Sequence, residues 1–117
     1  MKIIYSPASA DILLELVEVL YKWGYFSNES SAQTYVDELC DDIEKNLPIK
    51  LKKPVPVYFE SKYGKGTYYA VFRTSKQTCW YVLFRMFEEN GELIYQIRHI
   101  TNNHVDAKYF NHPEIGN

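Results

Sequence analysis

Residues 79–104 read CWYVLFRMFEENGELIYQIRHITNNH, and how this stretch folds decides the rest. Two runs rich in aromatic and β-branched residues, CWYVLFRMF and ELIYQIRHI, flank Asn90-Gly91. That dipeptide suits the left-handed positions of a tight hairpin turn. Side chains alternate across a strand, so Trp80, Val82, Phe84 and Met86 share one side and Tyr81, Leu83, Arg85 and Phe87 the other. In the second run Leu93, Tyr95 and Ile97 form the apolar set and leave Gln96 and Arg98 opposite. Pairing the apolar sets predicts a helix-free face carrying Tyr81, Arg85, Gln96 and Arg98, with Arg85 across from about residue 96. The same parity points His99 towards the apolar side, although a strand end leaves it room to turn outwards.

Upstream, PVPVYFES and GTYYAVFRTS read as two further strands, with Lys76-Gln77-Thr78 turning the second into the hairpin. Nearer the start, KIIY is a short strand, Ser6 a helix cap and Pro7 a first helical residue whose missing N–H leaves no bond unmade. Leu13, Leu16, Val17 and Leu20 then recur at helical spacing until Gly24. Ser30 with Gln33 reads as the capping signature of a second helix. Its stripe runs through Ala32, Tyr35, Val36, Leu39, Cys40, Ile43 and Leu47, and Pro48 ends it. The order β-α-α-β-β-β-β predicts an α+β fold with a helical hairpin on one face of a mostly antiparallel sheet. One domain is expected over residues 1–110, with residues 111–117 as a flexible tail.

At 117 residues the chain holds one core, and 46% hydrophobic with 24% charged residues is the balance of a globular domain. There is neither an apolar run of transmembrane length nor a signal-peptide pattern, so a cytoplasmic protein is expected. Cys40 and Cys79 lie within apolar patterns and read as buried free thiols, with a disulfide left open. The overall charge of −2 hides an asymmetry. Residues 6–47 hold nine acids against two lysines, whereas residues 49–110 hold ten bases against five acids. Such a chain either shows a polyanion one positive face or carries two solvated faces that attract each other weakly.

Arg85 and Arg98 beside Tyr81 suit phosphate, since guanidinium forks are planar and permanently charged and a ring stacks on a base. The alternative is that long arginine stems simply cover apolar surface. His99 and His104 lack a carboxylate or cysteine at a metal-binding spacing, so no metal is expected. YGKGTYY surrounds a lysine with glycines but lacks the spacing and the hydroxyl residue of a phosphate loop.

KIIYSPASADILLELVEVLYKWG, SSAQTYVDELCDDIEKNLP and WYVLFRMFEENGELIYQIRHITNNH, in this order and at these lengths, resemble the RelE/ParE superfamily of bacterial type II toxins. The likeness spans residues 2 to about 110. It implies the toxin of a toxin–antitoxin system of the plasmid-stabilisation kind, held silent by a cognate antitoxin protein. The RelE-like branch cuts mRNA on the ribosome without a cofactor, and the ParE-like branch poisons DNA gyrase. A non-catalytic protein-binding domain of the same fold is a third reading. Carried onto this chain, the first implies Arg85 and Arg98 as phosphate clamps, His99 or His104 as proton-transfer groups, and Tyr109 as a stacking or proton-transfer residue. Lys50, Lys52, Lys53, Arg73, Tyr81 and Gln96 would contact RNA. Many relatives have an arginine where this chain has Tyr81, a departure that favours the gyrase branch.

Overall fold

The computed structural model of the chain describes residues 1–110. Its elements are β1 Lys2–Tyr5, α1 Pro7–Lys22, α2 Glu29–Asn46, β2 Lys53–Pro54, α3 Val57–Tyr63, β3 Tyr68–Arg73, β4 Cys79–Glu89, β5 Glu92–Asn102 and α4 Asn103–Phe110. The strands form one sheet in the order β1-β5-β4-β3-β2, with β1 parallel to β5 and every other pair antiparallel. The fold is therefore α+β, with α1 and α2 packed on one face of a mixed, mostly antiparallel sheet of five strands. No helix among the described residues is long and apolar enough to cross a membrane.

Local chemistry sets the elements. Ser6 caps α1 by accepting a hydrogen bond from the Ser9 N–H, with Pro7 following as the first helical residue. The Ser9 hydroxyl, fully buried, donates to the Ile97 carbonyl at 3.0 Å and so ties the start of α1 to β5. The stripe Ala32, Val36, Leu39, Ile43 and Leu47 is buried as the helical spacing requires. With Trp80, Val82, Phe84, Tyr95 and Ile97 beneath it, this stripe forms the main core. The Trp80 indole N–H donates to the Tyr35 hydroxyl at 2.9 Å, which pins α2 over β4. At the hairpin, Glu89 pairs with Glu92, and Asn90 and Gly91 take φ of 53° and 78°, so two residues close the turn. Arg85 pairs with Gln96, the register expected.

In its elements and layers the structure departs from the sequence reading in four places. PVPVYFES is not a strand, because only Lys53–Pro54 pair with β3 before the chain enters α3. Pro54 and Pro56 have no N–H to extend a ladder, and Phe59 and Tyr63, four apart, give the segment a helical apolar face. Asn28, not Ser30, caps α2, its side chain accepting from the Ser31 N–H at 2.8 Å. Residues 103–110 form a further helix, α4, kinked at Asp106. Finally, the face expected to be free of helices carries α3 and α4 over a second core of Val55, Phe59, Tyr69, Cys79, Tyr81, Leu83 and Phe110. Cys40 and Cys79 are not joined in a disulfide. Residues 111–117, the expected tail, lie outside the described residues.

Candidate functional site

The second core covers only part of its face. Under α3 and α4, Tyr81 and Leu83 are fully buried, whereas the next residue on the same side of β4, Arg85, is half-exposed. Gln96 lies opposite Arg85 and is also half-exposed. Beyond them Phe87 is exposed to 38%. The open ground on this face thus begins where the helices stop.

A β-bulge brings β5 into this region. Leu83 pairs with His99 and Phe84 with Ile97, so Arg98 is the extra residue. A bulge resets the alternation of side chains. His99 therefore sides with Leu83, not with Ile97, and its ring lies 5.3 Å from Tyr63, close to parallel at 22°, and 6.1 Å from Phe59. Strand parity read from the sequence had placed His99 on the opposite side. Arg98 lies near enough to Tyr63 for its charge to lower the phenol's pKa.

The loop from α3 to β3 completes the enclosure. Gly64 and Gly66 take φ of 94° and 84°, and the Arg85 guanidinium packs against both. A Cβ on Gly64 would come within 3.1 Å of Arg85 Nη1. The loop is fixed from inside, where the buried Thr67 hydroxyl donates to the carbonyls of Gly64 at 2.8 Å and Tyr63 at 3.1 Å. The positive φ at both positions calls for glycine, and at Gly64 the lack of a Cβ also leaves room for the guanidinium.

Protonation follows from this geometry. Burial, with help from Lys62, pushes the His99 pKa below that of a free histidine, and the Asp106 carboxylate opposes the shift. At neutral pH the ring is a neutral imidazole, able to accept a proton. Burial raises the Tyr63 phenol, opposed by Lys62 and Arg98, so Tyr63 keeps its proton. Asp106 is itself held by the Thr101 hydroxyl, which donates to its carboxylate at 2.6 Å.

Other residues singled out in the sequence lie elsewhere. Tyr81 is sealed in the second core, stacked on Phe110 at 3.8 Å, and offers no ring to solvent. His104 lies in α4, past the last residue of β5, with Nε2 2.9 Å from the Thr78 hydroxyl. Lys50 and Lys52 reach over the rings of Phe72 and Tyr95, which belong to the helix-side core. Lys53 pairs in β2 with Tyr69, and exposed Arg73 donates to the Lys76 carbonyl at the far end of β3. Tyr109 stacks on Tyr58 beside the site. Tyr63, Gly64, Gly66 and Asp106 were missed. The one usable signal for the first three was the YGKG stretch, which lies against Arg85, and Asp106 had none.

A groove of about 960 Å³ opens on the helix side, lined by Leu20, Trp23, Phe26, Tyr35 and Trp80 and rimmed by Glu38 and Asp42. Among the described residues no three His, Cys, Asp or Glu side chains gather as a metal site would require. No protein-family model matches the sequence, and comparison with curated proteins gave no match.

Proposed function

We propose that this protein is the toxin of a bacterial type II toxin–antitoxin system, a RelE-like, ribosome-dependent mRNA endoribonuclease. The observation that carries this reading is the convergence of Arg85, Arg98, His99 and Tyr63 on the open part of one sheet face. RNA cleavage without a metal needs three things: a base for the 2′-hydroxyl, charge for the phosphorane, and an acid for the leaving oxygen. Neutral His99 takes the 2′-hydroxyl proton as the 2′-oxygen attacks phosphorus. Arg85 and Arg98 bind the non-bridging oxygens, whose negative charge grows in the transition state. Tyr63 gives its proton to the 5′-oxygen as the P–O5′ bond breaks, leaving a 2′,3′-cyclic phosphate and a 5′-hydroxyl. The environments of His99 and Tyr63 favour these opposite roles, since one is kept neutral and the other protonated.

The test is to add the purified protein, free of any partner, to ribosomes stalled on a defined mRNA and to map new 5′ ends. A cut within the A-site codon is expected. Intact mRNA in the presence of folded protein would overturn the assignment, and a supercoiling assay with DNA gyrase then examines the ParE-like branch.

The helix-side groove supports a second component of this reading, the docking of a cognate antitoxin. Its apolar floor and acidic rim suit an apolar segment flanked by basic residues. Trp23, 72% exposed at this groove, is the residue to change. Trp23→Asp should abolish co-purification with the cognate antitoxin, and unchanged co-purification would remove the groove from the account.

A further inference from the structure

Beside the proposed active site lies a second arrangement that the cleavage chemistry does not use. The rings of Tyr58 and Tyr109 stack at 3.8 Å and 10°. Lys62 Nζ lies over the Tyr58 ring at 4.7 Å and Lys108 Nζ over Tyr109 at 5.0 Å. Tyr58 is 38% exposed, and both lysines are exposed. Among the described residues neither lysine is paired with a carboxylate. The ammonium of Lys62 beside Tyr58 holds the phenol's pKa below the usual range.

We infer that this pair of rings is a platform for an unpaired base of single-stranded RNA, with Lys62 and Lys108 on the adjoining phosphates. The identity of the strand as RNA rests on the function proposed above; the platform itself does not. Three features argue for it. A packed pair of rings beneath an exposed one is already organised, so a base meets a surface that needs no rearrangement. Cation–π contacts at exposed sites are weak, so an arriving base displaces a lysine readily and frees its ammonium for phosphate. The platform is also continuous with the active site. Phe59, buried beneath, touches Tyr58 at 4.9 Å, Tyr109 at 5.9 Å and His99 at 6.1 Å. A strand whose phosphate sits at Arg85 and Arg98 would lay a flanking nucleotide on Tyr58. A duplex hides its base faces and has no use for such a surface.

The experiment measures anisotropy of a short labelled RNA, 2′-O-methylated so that it is not cut, against its duplex form. Binding should favour the single strand. Tyr58→Leu, which keeps an apolar side chain on Phe59 but removes the stack, should weaken binding about tenfold. Tyr58→Phe should stay within about twofold of wild type, because the ring remains. Lys62→Ala should flatten the dependence of log K on log salt by about 0.7. Equal affinity for single strand and duplex overturns the inference, as does wild-type affinity in Tyr58→Leu with melting unchanged. Ribosomal cleavage is scored separately. Loss of oligonucleotide binding in Tyr58→Leu with no cleavage by wild type would keep the platform and reject the nuclease; cleavage by wild type with unaltered binding in Tyr58→Leu would do the reverse.

Discussion

Tyr81 and Leu83 lie on the same side of the same strand as Arg85, yet the first two are fully buried and the third is half-exposed. The difference is where the helices land. Phe59 of α3 and Phe110 of α4 close over Tyr81 and Leu83, while the loop of Gly64 and Gly66 lies against Arg85. One half of the face is sealed beneath helices, and the other is where the proposed chemistry is placed. Mutations should separate the two halves: changes in the closed half lower stability, and changes in the open half lower activity at little cost in stability.

The largest effect on stability should come from the closed half. Phe59 is 2% exposed and packs against both α4 and the sheet. Phe59→Ala should cost about 3–5 kcal/mol in urea unfolding, whereas Arg85→Ala should cost less than about 1 kcal/mol. Similar losses for both would erase the distinction.

Gly64→Ala strikes the boundary between the halves. At φ 94° and ψ 159° the backbone is in a region almost reserved for glycine, which should cost about 1–3 kcal/mol. The added methyl would also press on the Arg85 guanidinium. Ribosomal cleavage should therefore fall further than the loss of folded protein explains, and a fall that matches it would remove the loop from the site.

His99 sharpens the comparison through pH. Its folded pKa is depressed, chiefly by burial, so the unfolded chain binds more protons between that value and the free-histidine value of about 6.5. The stability this gives is fully present above about pH 6.5 and is lost as pH falls through the folded pKa. His99→Gln should unfold with a smaller drop in midpoint between neutral and mildly acidic buffer than wild type does. An identical drop would place His99 in a more open setting. The smallest change is expected at the cap of α2, where Asn28→Ala should cost about 1 kcal/mol in thermal unfolding and leave cleavage unchanged.

The hairpin was legible because Asn90-Gly91 and two alternating runs agree on one register, and the helices because capping residues and apolar stripes agree with each other. PVPVYFES misled because a short helix of β-forming residues has no periodicity long enough to show itself, and the prolines that stop the strand are its better signal. His99 was misplaced for a different reason. A bulge adds one residue without altering composition, and every side chain beyond it changes face. Tyr81 was read correctly as to face and wrongly as to exposure, because alternation says which side a residue is on and nothing about what covers that side. Arg85 opposite Gln96 was legible because the hairpin register holds as far as the bulge. Tyr63, Gly64 and Gly66 were not, since their place at the site follows from how α3 docks.

The most direct test is the single-turnover rate of mRNA cleavage on A-site-programmed ribosomes for Arg85→Ala and Arg98→Ala, with urea midpoints measured on the same preparations. If the open half grips the scissile phosphate, each rate should fall by about 10²–10³, the usual loss on removing a group that stabilises transition-state charge, with midpoints near that of wild type. Rates within about threefold of wild type would contradict that account.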